Sequence, residues 1–196
     1  MAEEKAQDRR SFLLDSLKGL GRMLAQSVSS AVEGTAGGTR YIRPPGAVDE
    51  AEFLLICNRC GDCARVCPEF AVKFLPPTAG TAVGTPYIEP GERGCTLCGK
   101  CIPACVPGAL TPVADMRQVR IGEARLDQER CLAHQGEACS LCYGRCPYPD
   151  QVLQLREGHP VILPEACTGC GLCAAFCPTT PKAIVVEPVS PAREGF

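Results

Sequence analysis

Sixteen cysteines in a chain of 196 residues fall into four sets of four: Cys57, Cys60, Cys63, Cys67; Cys95, Cys98, Cys101, Cys105; Cys131, Cys139, Cys142, Cys146; and Cys167, Cys170, Cys173, Cys177. Sets one, two and four share the spacing C-x-x-C-x-x-C-x-x-x-C, and the third departs only in its first gap, where seven residues separate Cys131 from Cys139. The first cysteines follow one another at steps of 38, 36 and 36 residues, an internal repeat read most simply as two tandem pairs. Three thiolates within one short loop can take three irons of a single [4Fe-4S] cubane, whereas the fourth cysteine lies too far round and ligates the neighbouring cluster. The expected sites are therefore crossed. The first is Cys57, Cys60, Cys63 and Cys105; the second is Cys95, Cys98, Cys101 and Cys67; the third is Cys131, Cys139, Cys142 and Cys177; the fourth is Cys167, Cys170, Cys173 and Cys146. Four clusters are expected, or three if the long gap leaves the Cys131 set empty.

Other uses of so many thiols fit less well. A secreted disulfide scaffold does not predict near-identical spacing in four sets. Zinc prefers separated C-x-x-C or Cys/His pairs, because a tetrahedral ion rarely takes three thiolates from one tight loop. Cubanes held by cysteine throughout leave no iron open to a substrate. No nucleophile with its base, phosphate loop or nucleotide fingerprint stands elsewhere in the chain, so an enzyme is not expected.

Something must hold these loops in place, and composition says that an aromatic core cannot. The chain has no Trp, 5% aromatic residues, 20 Gly and 18 Pro. Because each crossed set staples two distant segments, the clusters substitute for part of that core. Short apolar runs of strand length stand around the loops: Phe53–Ile56, then the runs in AVKFL, PYI, QVLQL, PVIL and AIVV. Residues 156–159, including Gly158, join two of them as a hairpin turn. Residues 76–86, rich in Pro, Gly and Thr, form the connection inside the first half, and Ala174, Ala175 and Phe176 suit a helical turn. Gly61, Gly99, Gly169 and Gly171 let backbone N–H groups approach the sulfurs, which helps to set potential. The expected fold is α+β, small and loop-rich: two tandem ferredoxin-like (βαβ)2 dicluster modules, at 41–115 and 116–196, preceded by an N-terminal amphipathic helix within a 1–40 tail.

A net charge of -2 with no basic run argues against a nucleic-acid partner, and no stretch approaches the length of a membrane span. In the tail, Leu13, Leu17, Leu20, Leu24 and Val28 mark one face of a helix, which suits docking to a partner protein or peripheral association with a membrane through residues 11–32. Arg9 and Arg10 in DRRSFLL have the look of a twin-arginine export signal, but Asp15, Lys18 and Arg22 interrupt the apolar stretch such a signal needs. The expectation is a cytoplasmic protein, with twin-arginine export as the alternative.

The four sets resemble the bacterial [4Fe-4S] ferredoxins over residues 53–188, a polyferredoxin in the broad sense. Two stretches narrow the likeness. Ile42, Arg43, Pro44 and Pro45 stand shortly before the first loop, and Cys131, Leu132, Ala133 and Gln135 open the third; both are similar to the NapF family, ferredoxin-type accessory proteins of periplasmic nitrate reductase. The resemblance implies that the seven-residue gap is a family insertion in an intact ligand set. It also implies a redox partner such as the molybdenum catalytic subunit of a nitrate reductase. Three roles follow as expectations: an electron-transfer relay or accessory protein, a cytoplasmic maturation factor for that subunit, or a fixed subunit of a membrane oxidoreductase. Smaller features take plain readings. His134 is a solvated loop histidine and His159 a turn residue, Tyr143 and Phe176 pack against the cubanes, and Asp62 and Glu69 place negative charge beside the first cluster, which would lower its potential.

Overall fold

The structure, a computed structural model, describes residues 41–189; the 1–40 tail, and with it the expected helix, lies outside the described residues. The first described element shows how little a short apolar run says by itself. Phe53–Ile56 has the length of a strand, but it forms the end of helix α1 (Glu50–Ile56). Four apolar residues fit either period, and the residues ahead of them decide. Asp49 caps the helix by accepting from the Glu52 N–H at 3.1 Å, and Glu50 and Glu52 place negative charge in the first turn. Phe53 then turns fully inward and Leu55 outward.

The remaining elements repeat one plan twice. In the first half, Ala47 bridges Leu110 in antiparallel fashion, and Val48 N–H donates to the Ala109 carbonyl at 3.2 Å. Inside that outer pair lie helix α2 (Asp62–Arg65) and strands β1 (Val72–Phe74) and β2 (Pro86–Ile88), paired antiparallel with Val72 opposite Ile88. The Pro/Gly/Thr-rich connection between them holds two short 3-10 turns within Pro77–Ala82, parted by a non-helical Gly80 (φ 58°). In the second half the outer pair is β3 (Glu123–Leu126) with β6 (Ile184–Glu187), with Ala124 opposite Val186. Helix α3 (Leu141–Arg145) and the hairpin of β4 (Leu153–Arg156) with β5 (His159–Ile162) lie within it, and the turn joins Arg156 to His159 as expected. Helix α4 (Leu172–Ala175) completes the half. Strand β3 carries no apolar run to announce it. Its Ala124 faces the core, while Arg125 faces solvent and pairs with Glu187 at 2.9 Å.

The two halves share a core. Ile42 and Ile88 from the first pack with Ala124, Val152, Leu153, Ile184 and Val186 of the second, and residues 41–189 all belong to one compact unit. Among the described residues no helix is long and apolar enough to cross a membrane.

Arg43, in the Ile-Arg-Pro-Pro stretch, shows what that segment does. Its guanidinium is buried, donates to the Thr85 hydroxyl at 2.9 Å and the Pro86 carbonyl at 2.7 Å, and pairs with the Glu50 carboxylate, one contact being 2.9 Å. It also stacks 4.6 Å from the Phe53 ring centre and 5.3 Å from that of Tyr41. One side chain thus ties β2, α1 and the entering segment together. Arg43→Met leaves Glu50 without its partner and is expected to destabilise the cluster-loaded protein by about 2–3 kcal/mol, read as a lower denaturation midpoint. Adding Glu50→Gln should restore part of the loss.

Candidate metal centres

Each expected cysteine set can be built from the loops upward. In the first loop Arg59 and Gly61 both take the left-handed conformation, at φ 61° and 82°; Leu97 and Gly99 do the same in the second, at 57° and 69°, and Gly169 and Gly171 in the fourth, at 73° and 81°. Residues in this region turn their amides toward the inside of the loop, where anionic sulfur can accept from them. Leu97 N–H donates to Cys95 Sγ at 3.3 Å and Gly169 N–H to Cys167 Sγ at 3.4 Å. Leu110 N–H does so to Cys105 Sγ at 3.4 Å. At Arg59 the unusual φ has a second use. The side chain reaches across to the Thr81 and Val83 carbonyls, at 3.2 and 2.9 Å, and buttons the long first-half connection onto the cysteine loop.

The folded chain gathers thiols from separate loops around small enclosed spaces. One cavity of about 20 Å³ is lined by Cys57, Cys60, Cys63 and Cys105, with Phe53, Ala109 and Leu110 among its walls. A second of about 20 Å³ is lined by Cys146, Cys167, Cys170 and Cys173, with Val152, Leu153 and Ile162. A third of the same size is lined by Cys131, Cys139, Cys142 and Cys177, with Leu126, Leu132 and Ile184. Cys67, Cys95, Cys98 and Cys101 come together too. The Cys95 thiol is pushed up by burial and then by the charges of Cys101, Cys170 and Cys67, and that of Cys101 by burial and then by Cys98, Cys67 and Cys105. All sixteen cysteines are free thiols.

This donor set suits a cubane. Among the described residues no three His, Cys, Asp or Glu side chains meet closely enough to hold a single ion. The thiols surround a volume, as a cluster with one iron for each thiolate requires. Burial pushes the Cys63 and Cys95 thiols up to about 12 and those of Cys101 and Cys142 up to about 11. Empty, these groups are neutral at ordinary pH, so loading with iron must displace their protons. Cys177 goes the other way: burial opposes ionisation, but hydrogen bonds from Thr179 and the backbone of Ala183 and Ile184 hold its thiol below the usual value.

The third loop is built differently from its three counterparts. Helix α3 starts one residue before Cys142, as α2 and α4 start one residue before Cys63 and Cys173, but its cap is Ser140 at φ -135° where those loops have left-handed Gly61 and Gly171, and Gly136 (φ 91°) turns the chain within the long gap. That loop also brings the chain's two histidines together. The His134 and His159 rings lie 4.9 Å apart, and His134 Nε2 is 3.3 Å from the Pro160 carbonyl. His134 is thus half-buried and partnered, not merely solvated. Phe176 is 42% exposed and lies under the Arg145 guanidinium at 4.0 Å. Tyr143 is partly buried against the second-half core and donates its hydroxyl to Asp150 at 2.9 Å. The Phe176 contact joins residues 31 apart in the chain, which no local spacing encodes.

Crossed cysteine loops on paired two-stranded sheets define a ferredoxin-type iron-sulfur protein. A 4Fe-4S dicluster domain description matches residues 56–109 and a 4Fe-4S binding domain description residues 160–180. The ferredoxin-type protein NapG of Escherichia coli is 36% identical over 94% of this chain and 87% of its own length. The methylamine utilization ferredoxin-type protein MauM of Methylorubrum extorquens is 34% identical over 96% of this chain and 92% of its own. The ferredoxin-type protein NapF of Escherichia coli is 33% identical over 71% of this chain and 81% of its own. The chain belongs to this family of ferredoxin-type 4Fe-4S proteins, and the likeness to NapG and MauM spans more of it than the likeness to NapF. No solved structure matches it.

Exposure separates the sixteen cysteines. Cys60 and Cys98 are exposed, whereas Cys63, Cys101, Cys131, Cys142, Cys167, Cys170, Cys173 and Cys177 are buried. In cluster-free protein, a short pulse of iodoacetamide followed by mass spectrometry is expected to label Cys60 and Cys98 first and these eight last.

Proposed function

We propose that the chain is an electron-transfer protein carrying four [4Fe-4S] clusters, one on each crossed cysteine set, and that it is not an enzyme. The observation that carries this reading is the set of three cavities of equal size, each lined by four free thiols drawn from two separate loops. A [4Fe-4S] cluster held by four thiolates supplies one-electron oxidation and reduction and has no iron position free for a substrate. The protein's own part is to hold and tune. The sixteen cysteines supply ligands from both arms of each half. The amides of Leu97, Leu110 and Gly169 donate to sulfur, which favours the more negative, reduced state. Phe53, Leu110, Leu153 and Ile184 exclude water from the cavity walls.

The partner is a redox protein. The NapF resemblance offers the molybdenum catalytic subunit of a nitrate reductase, and the likeness to a methylamine utilization protein offers a component of that system. We take the compartment to be the cytoplasm, from the charges at Asp15, Lys18 and Arg22 in what an export signal would need as its apolar stretch. N-terminal sequencing of protein from separated cell fractions checks this. A shortened chain in the periplasmic fraction would replace it with export.

Iron and acid-labile sulfide per chain, measured on anaerobically purified protein, test the cluster reading. Near sixteen irons are expected on four cubanes, falling by about four in Cys131→Ala. Near twelve, unchanged by the mutation, would leave the third site empty, and zinc without sulfide would overturn the reading.

A further inference from the structure

The four sites follow one another differently in space than in sequence, which bears on the proposed electron-transfer function and rests on that reading. One apolar cluster joins the first site to the second, through Cys57, Cys63 and Cys105 beside Cys101, with Phe53, Ala109 and Leu110 between. Another joins the second site to the fourth: Leu97 and Val119 pack with Cys170, and Cys95 lies against them. The largest joins the fourth to the third, with Cys146, Cys167 and Cys173 beside Cys142, on the packed helices α4 and α3. The rest of the third site, Cys131, Cys139 and Cys177, has a cluster of its own with Ala133 and Ala183. Among the described residues, none of these clusters brings a cysteine of the first site against one of the third or fourth.

We propose that the four sites stand in the spatial order first, second, fourth, third, and that the two halves are joined electronically where Gly94 and Cys95 lie against Cys170, Gly171 and Leu172. The contact is backbone to backbone. Cys95 N–H donates to the Cys170 carbonyl at 2.7 Å, so a ligand of the second site is bonded directly to a ligand of the fourth. A Cβ on Gly94 would lie 2.4 Å from the Leu172 nitrogen and 2.6 Å from its Cα, and a Cβ on Gly171 would lie 2.5 Å from Pro90 Cβ. Both positions are therefore closed to any side chain. Gly94 is the informative one, because its φ is outside the left-handed region and only the close approach excludes a methyl group there. The far side of the same loop is held as firmly: Ile121 N–H donates to the Thr168 carbonyl at 2.9 Å, and a Cβ on Gly169 would fall 2.2 Å from the Gly122 backbone.

This order makes the last set in sequence an inner link. Cys167, Cys170 and Cys173 are buried, whereas the first and second sites each present an exposed ligand, Cys60 and Cys98. Electron tunnelling falls steeply with separation. The fourth site accordingly exchanges with its neighbours in the chain and not with an outside partner, and Gly94, Cys95 and Gly171 act as positioning residues for that exchange.

Electron paramagnetic resonance of the dithionite-reduced, cluster-loaded full chain tests the order, since reduced centres that lie close broaden each other's signals. Gly94→Ala is expected to keep wild-type iron and sulfide but to lose the broadening between the second and fourth sites. Gly91→Ala, whose Cβ would meet only the Glu89 carboxylate at 3.8 Å, should retain it. Should Gly94→Ala not load, Cys131→Ala decides: removing a terminal third site leaves the fourth still coupled to the second. A fourth site turned magnetically isolated by Cys131→Ala, or a fully loaded Gly94→Ala with unchanged broadening, overturns the order alone. Wild-type protein without sulfide overturns the cluster reading beneath it.

Discussion

Each half of this protein must bring thiols from two loops, some forty residues apart in the chain, to the walls of one small cavity, and the rest of the architecture follows from that requirement. Three cysteines of a set lie on one turn, but the fourth has to arrive from the other arm of the half. The outer strand pairs bring the arms together: Ala47 with Leu110 in the first half, and β3 with β6 in the second. The inner hairpins, β1 with β2 and β4 with β5, span the distance between one cysteine loop and the next. Among the described residues no strand exceeds four residues. Sheets this small are marginal alone, and a cluster held by each proposed ligand set would add the cross-links that backbone pairing cannot.

The apolar interior is correspondingly arranged around the thiols. Of the buried residues that form the four clusters, several are the cysteines themselves, packed with Phe53, Leu110, Leu153 and Ile184. A neutral thiol behaves in such a place as a small apolar group, and burial favours that form, as the raised thiols of Cys63 and Cys95 show. The same environment disfavours an isolated thiolate and favours one bonded to a cationic metal. Burial and ligation thus work in the same direction only once the site is filled.

How much of this could be read in advance depended on how local the signal was. Spacing within a dozen residues groups three thiols of each cavity, whereas the fourth, Cys105, Cys146 or Cys177, arrives from the neighbouring set, a crossing that spacing alone does not encode. The hairpin at Arg156–His159 was similarly local. Helix α1 was misread because Phe53–Ile56 is too short to show a period, and the deciding signal lay in the Asp49 cap and the acidic first turn. Strand β3 was missed because Glu123 and Arg125 mask a buried Ala124 that only the pairing with β6 explains. The Arg43 hub, the His134–His159 pair and the shared core of Ile42, Ile88 and Val186 depend on contacts across long stretches of chain, and no spacing encodes them.

The third site shows what a change in one gap does to a shared design. In the other three loops a left-handed residue precedes and another follows the second cysteine, and in two of them the first of these, Leu97 or Gly169, donates its N–H to sulfur. In the third loop Ser140, at φ -135°, stands after the second cysteine instead, and the chain from Cys131 to Cys139 folds as a turn-rich arm, with Gln135 donating to the Glu129 carbonyl at 2.6 Å. Hydrogen bonding reaches this site from a different quarter. Thr179 lies 3.3 Å from Cys177 Sγ and accepts from the Ala183 N–H at 2.7 Å, which fixes its hydroxyl beside a thiol that its hydrogen bonds push down. Hydrogen bonds to sulfur and burial are what distinguish the potentials of otherwise identical cubanes. A set with its donors gathered at Cys177, at the far end of the proposed spatial order, is accordingly set apart from its neighbours by its surroundings, although it too consists of four cysteines.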